Sequence, residues 1–159
     1  MMDELQNGLD HAIVGVQAQP IIDAISVHLD HWRLTMPAVP PLVFDFGLGE
    51  FARIGETEFW IANEAEHGYC GKYLFLFKGQ RCPEHMHLIK HETFFIVKGK
   101  ILMGYGNKEL TMGPGDVLPI PKEVLHTFIA EETSLILELS MPGIIADNYF
   151  TDPRLGYNV

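Results

Sequence analysis

Within one short run, Cys82-Pro-Glu-His85-Met-His87-Leu-Ile-Lys90-His-Glu92, two imidazoles, an amine and a carboxylate are brought together, and His126 answers them downstream. His85 and His87 are two apart, so on an extended strand both rings project from one face. Glu92 falls on a facing strand if Leu88-Ile89 makes a short turn. The turn-strand-turn segment from Gly115 to Leu125 can return His126 to the same place. Three neutral imidazoles and one carboxylate suit manganese, iron, cobalt, nickel or zinc, and suit calcium or magnesium poorly. On an octahedral ion such a set leaves room for a substrate.

Further groups share the inward parity. Lys90 alternates with Glu92, so both point into the same interior while His91 points out. On the same rule Phe94 and Ile96 face inward with Glu92, and Phe128 follows His126. Glu138 sits inside Leu-Ile-Leu-Glu-Leu-Ser, a costly place for a carboxylate unless something uses it. Lys72, on the strand before the histidine pair, is placed to hold a substrate oxygen. A metal, a lysine and a free carboxylate in one cavity make a proton-transfer site.

The elements that must position these groups are mostly strands. Short apolar or alternating runs at 42–46, 58–62, 73–77, 93–97, 101–105, 108–111, 116–120, 126–130 and 135–141 are separated by turn residues. Among those turns, Gly106-Asn107 is a tight hairpin signal. Pro20 opens a helix whose Ile21, Ile22, Ile25, Leu29 and Trp32 recur at helical spacing to about Leu34, and Pro37, Pro40 and Pro41 end it. The pattern predicts an all-β barrel or sandwich over 42–159, with a helix and linker over 1–41 packing on it. Leu135, Leu137, Leu139 and Met141 form an apolar row that this helix or a partner subunit must cover, which predicts a homodimer.

With 159 residues, 47% hydrophobic and 20% charged, the chain reads as one ordinary globular domain. A net charge of -10 argues against nucleic acid or an anionic membrane as partner. Cys70 and Cys82 give no disulfide framework and read as buried free thiols. The start lacks the pattern of a signal peptide and no run reaches membrane-spanning length, so the expected compartment is the cytoplasm.

The spacing His85-x-His87-x4-Glu92-x6-Gly99, followed by Gly115-x5-Pro121-x4-His126, resembles the two motifs of the cupin superfamily. That implies a double-stranded β-helix, or jelly-roll barrel, with the metal inside. Two departures are visible: Glu123 stands where the motif often has glycine, and Ala130 where it often has asparagine.

More narrowly, several blocks resemble the cupin-type D-lyxose ketol-isomerases. They are Phe44-Asp-Phe-Gly-Leu-Gly49, Tyr69-Cys-Gly-Lys72, Gly79 through His87, Lys90-x-Glu92-Thr-Phe, Glu138-Leu-Ser140 and Phe150-Thr-Asp-Pro-Arg154. The likeness runs from about Val43 to Arg154 and leaves out the first forty residues. It implies that His85, His87, Glu92 and His126 bind manganese, and that Lys90 and Glu138 are catalytic. The implied reaction is an aldose–ketose interconversion, with Glu138 carrying a proton between C2 and C1 through a cis-enediol and Lys90 managing charge on the oxygens; a hydride shift is the alternative route. Lys72, Phe94 and Phe128 are the expected substrate contacts. The substrate is expected to be a D-lyxose-like pentose or a sugar phosphate, the latter resting on Arg81, Lys72 and Lys90. The competing readings are a dioxygenase with the same ligand set and a non-catalytic sugar-binding cupin.

Overall fold

In the computed structural model, which describes residues 3–155, two antiparallel sheets enclose one interior. The chain enters through α1 (Glu4–Asp10), β1 (Ala12–Ile13) and α2 (Gln19–His31). Eleven strands follow: β2 (Leu42–Phe44), β3 (Glu56–Glu64), β4 (Tyr69–Leu76), β5 (Arg81–Met86), β6 (Glu92–Lys98), β7 (Ile101–Tyr105), β8 (Lys108–Met112), β9 (Val117–Ile120), β10 (His126–Ala130), β11 (Ser134–Ser140) and β12 (Tyr149–Phe150). The larger sheet has the order β1-β2-β3-β4-β11-β6-β9 and the smaller β12-β5-β10-β7-β8. This is the all-β jelly-roll architecture expected for a cupin, with a small helical part at the N-terminal side.

Consecutive strands repeatedly fall in opposite sheets, so β5 and β6 face each other although only a short loop joins them. Gly99, which closes the first motif, turns back at φ 82°, and an added Cβ there would collide with Thr133 and Ser134. The Gly106-Asn107 turn joins β7 to β8, with Tyr105 opposite Lys108.

The interior of the barrel is apolar at one end. Leu74, Leu76, Phe94, Ile96, Ile101, Met103, Ile120, Phe128 and Ile136 pack there from both sheets. A second core lies outside, where α2 lays Ile25 and Leu29 on Phe59, Phe75 and Leu135. The helix stops at His31, three residues before the sequence pattern ends. Arg33 takes φ 57°, and the Leu34 amide donates back to the Leu29 carbonyl at 2.9 Å, a left-handed helix stop built without glycine.

Because α2 ends there, it covers only the start of the apolar row on β11. Leu135 is buried, whereas Leu139 is 51% and Met141 40% exposed. The segment before residue 42 does more than cover the barrel. β1 extends the larger sheet by pairing with β2, and α1, whose Gln6 amide donates to Asp3, lies over the open end of the interior.

Candidate metal centre and active site

At the end opposite the apolar core, the strands turn charged side chains inward. β5 carries His85, and His87 follows just past its end. β6 opens with Glu92, and β10 opens with His126, directly opposite His85. A bulge between His126 and Phe128 lets Cys82 and His85 both face inward despite their odd spacing. One donor atom from each of His85, His87, Glu92 and His126 lies within 4.8 Å of the others, and all four side chains are buried.

The orientation of the rings decides what this group can hold. The Nδ1–H of His85, His87 and His126 donates to the backbone carbonyls of Pro83, Asp147 and Val124 at 2.8, 3.1 and 2.9 Å. Each Nε2 lone pair is thereby aimed at the centre, the arrangement that fixes histidine ligands in metal sites. His126 Nε2 and His87 Nε2 stand 2.7 and 3.4 Å from Glu92 Oε1, yet these three buried atoms have no hydrogen-bond partner. Acceptors facing one another so closely need a cation between them. The separations fit donors that each reach about 2.1 Å to one ion. Burial, together with His126 and His87, holds His85 well below the usual histidine range, in the neutral form a ligand requires. The four residues can therefore hold a divalent metal.

The loop between His87 and Glu92 is held by Asp147. Its carboxylate accepts from the amides of Leu88, Ile89 and Lys90 at 2.9 to 3.1 Å, while its carbonyl takes His87. The Glu123 amide donates to the His87 carbonyl at 2.7 Å, and Glu123 sits at φ 65° to do so. Glycine at this motif position would reach that backbone conformation without strain.

Beside the tetrad runs a chain of buried charges of alternating sign. Lys90 Nζ lies 2.8 Å from Glu92 Oε2, 2.9 Å from Glu138 Oε1 and 3.2 Å from both oxygens of Glu4. Lys72 stands directly across from Glu138 in the β4–β11 pair and reaches Glu58 at 2.7 Å and Glu138 at 3.5 Å. Trp60 fixes that end by donating to Glu58 at 2.6 Å beneath the Lys72 ammonium.

Burial works against the charged form of both lysines, but the carboxylates around them outweigh it. Glu138 and Glu4 with Glu92, and Glu138 and Glu58 with Glu4, hold Lys90 and Lys72 respectively well above the usual lysine range. Burial raises the Glu138 carboxyl, against the opposing pull of Lys72 and Lys90. The pair thus consists of a firmly charged donor and a carboxylate more basic than one in water. Cys82 is buried nearby, and burial pushes its thiol well up, which removes it as a nucleophile.

These groups line a cavity of about 340 Å³, of the size of small-molecule sites. Lys72, Lys90, Phe94, Phe128 and Glu138 all face it, as do His85 and Glu92. Arg81, expected near the site from its place before His85, is exposed and does not line the cavity; the arginine at the wall is Arg154, held by Asp152 and Glu50.

Four residues that sequence reasoning did not single out belong to the site: Glu4, Glu56, Glu58 and Asp147. The alternation Glu56-Thr-Glu58 at the start of β3 was a usable signal, since it puts two carboxylates on one face. Nothing local marked Glu4, which fits because Gly143 leaves space where a Cβ would strike its carboxylate.

Residues 74–141 match the cupin domain family, so fold and site together define a cupin. Among curated proteins, a D-lyxose/D-mannose isomerase of Thermosediminibacter oceani is 33% identical over 71% of this chain and 77% of its own length. A D-lyxose ketol-isomerase of Thermofilum sp. is 31% identical with the same coverage. The chain belongs to this D-lyxose ketol-isomerase family of cupins. A solved L-ribose isomerase from Acinetobacter sp., in complex with L-ribose, shares the fold at a TM-score of 0.65 over 82% of each chain, with 13% identity. Among the described residues no helix is long and apolar enough to cross a membrane.

Proposed function

We propose that the protein is a metal-dependent aldose–ketose isomerase acting on a free D-lyxose-like sugar, with manganese as its ion. The observation that carries the reading is Glu138, a buried carboxylate bracketed by two lysines beside an orphaned metal-ligand tetrad in a cavity sized for a small molecule. The kinship with D-lyxose isomerases supplies the substrate class.

His85, His87, Glu92 and His126 would hold the ion. When bound, it would supply Lewis acidity to the sugar's carbonyl and so make the hydrogen on the neighbouring carbon more acidic. Glu138 removes the proton from C2 as the O2 proton passes to O1, giving the enediol system with its negative charge on O2. It then returns the proton to C1 as O2 becomes the carbonyl oxygen, so the atoms balance with no co-reactant. Its raised basicity suits this work on a carbon acid. Lys90, kept charged, donates to the oxygen on which negative charge grows, a preorganised electrostatic contact. Phe94 and Phe128 close the floor of the cavity and exclude water from it.

A phosphorylated substrate is less well served. Among the described lining residues the cations are Lys72, Lys90 and Arg154, and each is already engaged by carboxylates. Glu4 and Glu58 add negative charge to the same walls. A dioxygenase would leave Lys90 and Glu138 without a task.

The test is to load the protein with manganese, confirm about one equivalent, and assay free aldoses and aldose phosphates in deuterated water. Isomerisation of a free pentose with deuterium at the product carbon is expected. Binding of a sugar without turnover of any would overturn the enzyme reading in favour of a sugar-binding cupin.

A further inference from the structure

Glu56 is a buried acid in the cavity wall that takes no part in the proposed reaction. Its residue is 3% exposed, it lines the cavity, and its Oε2 is buried without any hydrogen-bond partner. The neighbouring Glu58 is different. Both of its oxygens are satisfied, one by Lys72 and the other by Trp60. For Glu56, burial together with the Glu58 charge raises its carboxyl well above the usual range. Its Oε2 is therefore a buried acceptor with nothing to accept, on a residue that lines the cavity. A buried acceptor left unpaired costs free energy, which a ligand hydroxyl would recover.

The sheet order places this acceptor far from the metal tetrad. Glu56 is on β3 and Glu92 on β6, with β4 and β11 between them. Three strand spacings amount to about 14 Å along the sheet. Glu138 and Lys90 lie between the two ends, where the reacting carbons belong. A ligand whose reacting end sits beside Glu138 and Lys90 would extend its remaining carbons toward β3.

We propose that Glu56 is a specificity-determining residue, accepting a hydrogen bond from a hydroxyl at the far end of an uncharged polyol chain. The proposal rests on the sugar reading of the cavity and adds to it the group that measures the length of the chain. Glutamine has the same shape and keeps an acceptor oxygen, so it should replace glutamate, whereas methionine or alanine should not.

The experiment uses titration calorimetry on manganese-loaded protein with two unreactive probes, the five-carbon D-arabinitol and the three-carbon glycerol. Wild type should bind D-arabinitol more tightly. Glu56→Gln should remain within about threefold of wild type, while Glu56→Met weakens D-arabinitol about tenfold and leaves glycerol unchanged, the effect of one hydrogen bond. Glu56→Ala gives a second truncation should the methionine variant not fold, and a thermal melt on each variant checks this. Equal D-arabinitol affinity in wild type and both truncations overturns the proposal, as does an equal loss for glycerol. Turnover of an aldose with no effect of Glu56 would leave the isomerase standing and remove the subsite. Glu56-dependent polyol binding without any turnover would do the reverse.

Discussion

β4 turns Lys72, Leu74 and Leu76 into the interior; β6 turns Glu92, Phe94 and Ile96; β10 turns His126, Phe128 and Ala130; and β11, running the other way, turns Ile136 and then Glu138. The parity is the same throughout, but one end of the barrel is aliphatic and aromatic while the other is ionic. Which residues face inward is set by the pleat, and what they do is set by how far along the strand they stand. The apolar end supplies stability through burial. The ionic end supplies little, since a buried network of paired charges roughly offsets its own desolvation. Its retention is explained by chemistry carried out on something else.

The sharpest way to test this division is to damage each end and look for the signature of the other. Ile96→Ala, in the apolar end where Ile96 is fully buried, should cost about 3 kcal/mol of stability by chemical denaturation. Metal content per folded chain should not change; a loss of metal would show the two ends to be one unit. In the ionic end, Glu138→Gln should lower isomerisation and solvent deuterium incorporation together by about 100-fold, with manganese occupancy held by the untouched tetrad. Normal turnover in that variant would make the carboxylate structural.

A smaller effect is expected where scaffold and chemistry meet. Asp147→Ala strips the acceptor from three loop amides and should weaken manganese by about tenfold, the usual scale for a group that orients a ligand. Equilibrium dialysis against a competing chelator would measure it, and an unchanged affinity would show that the loop holds itself. Smallest of all, Glu123→Gly relieves a left-handed residue and should raise stability by about 0.5 to 1 kcal/mol, read as a higher melting temperature. A decrease would mean that the Glu123 side chain does more than tolerate its turn.

Much of the barrel was legible because its signals are local. Alternation placed Phe94, Ile96 and Phe128 on the inner face, and His85, His87, Glu92, Lys90 and His126 announce themselves by spacing within two short motifs. Strand starts were harder to read. The pattern for β3 begins at Glu58, but pairing with β2 carries the strand back to Glu56, because Leu42–Phe44 offers a partner that composition alone does not reveal. For β4 the run Tyr69–Lys72 is extended for the same reason. Asp147 lay beyond reach, since its role depends on a loop about sixty residues earlier in the chain. The helix by itself covers less of the β11 row than its spacing suggests, because helical periodicity continues to Leu34 whereas the Arg33 turn stops the helix at His31.

Glu4 reaches Lys90 across 86 positions of sequence, from a helix outside the stretch that matches the cupin domain. The tetrad and Glu138 are contributed by residues 85–138, whereas Glu4, Glu56 and Glu58 come from the first part of the chain. The proposed site in this sense draws on two stretches of the chain, one carrying the metal-binding group and Glu138 and one whose carboxylates line the chamber. Under the proposed function, grafting the leading segment of a related isomerase onto this barrel would change which sugar is taken without touching the four metal-binding residues.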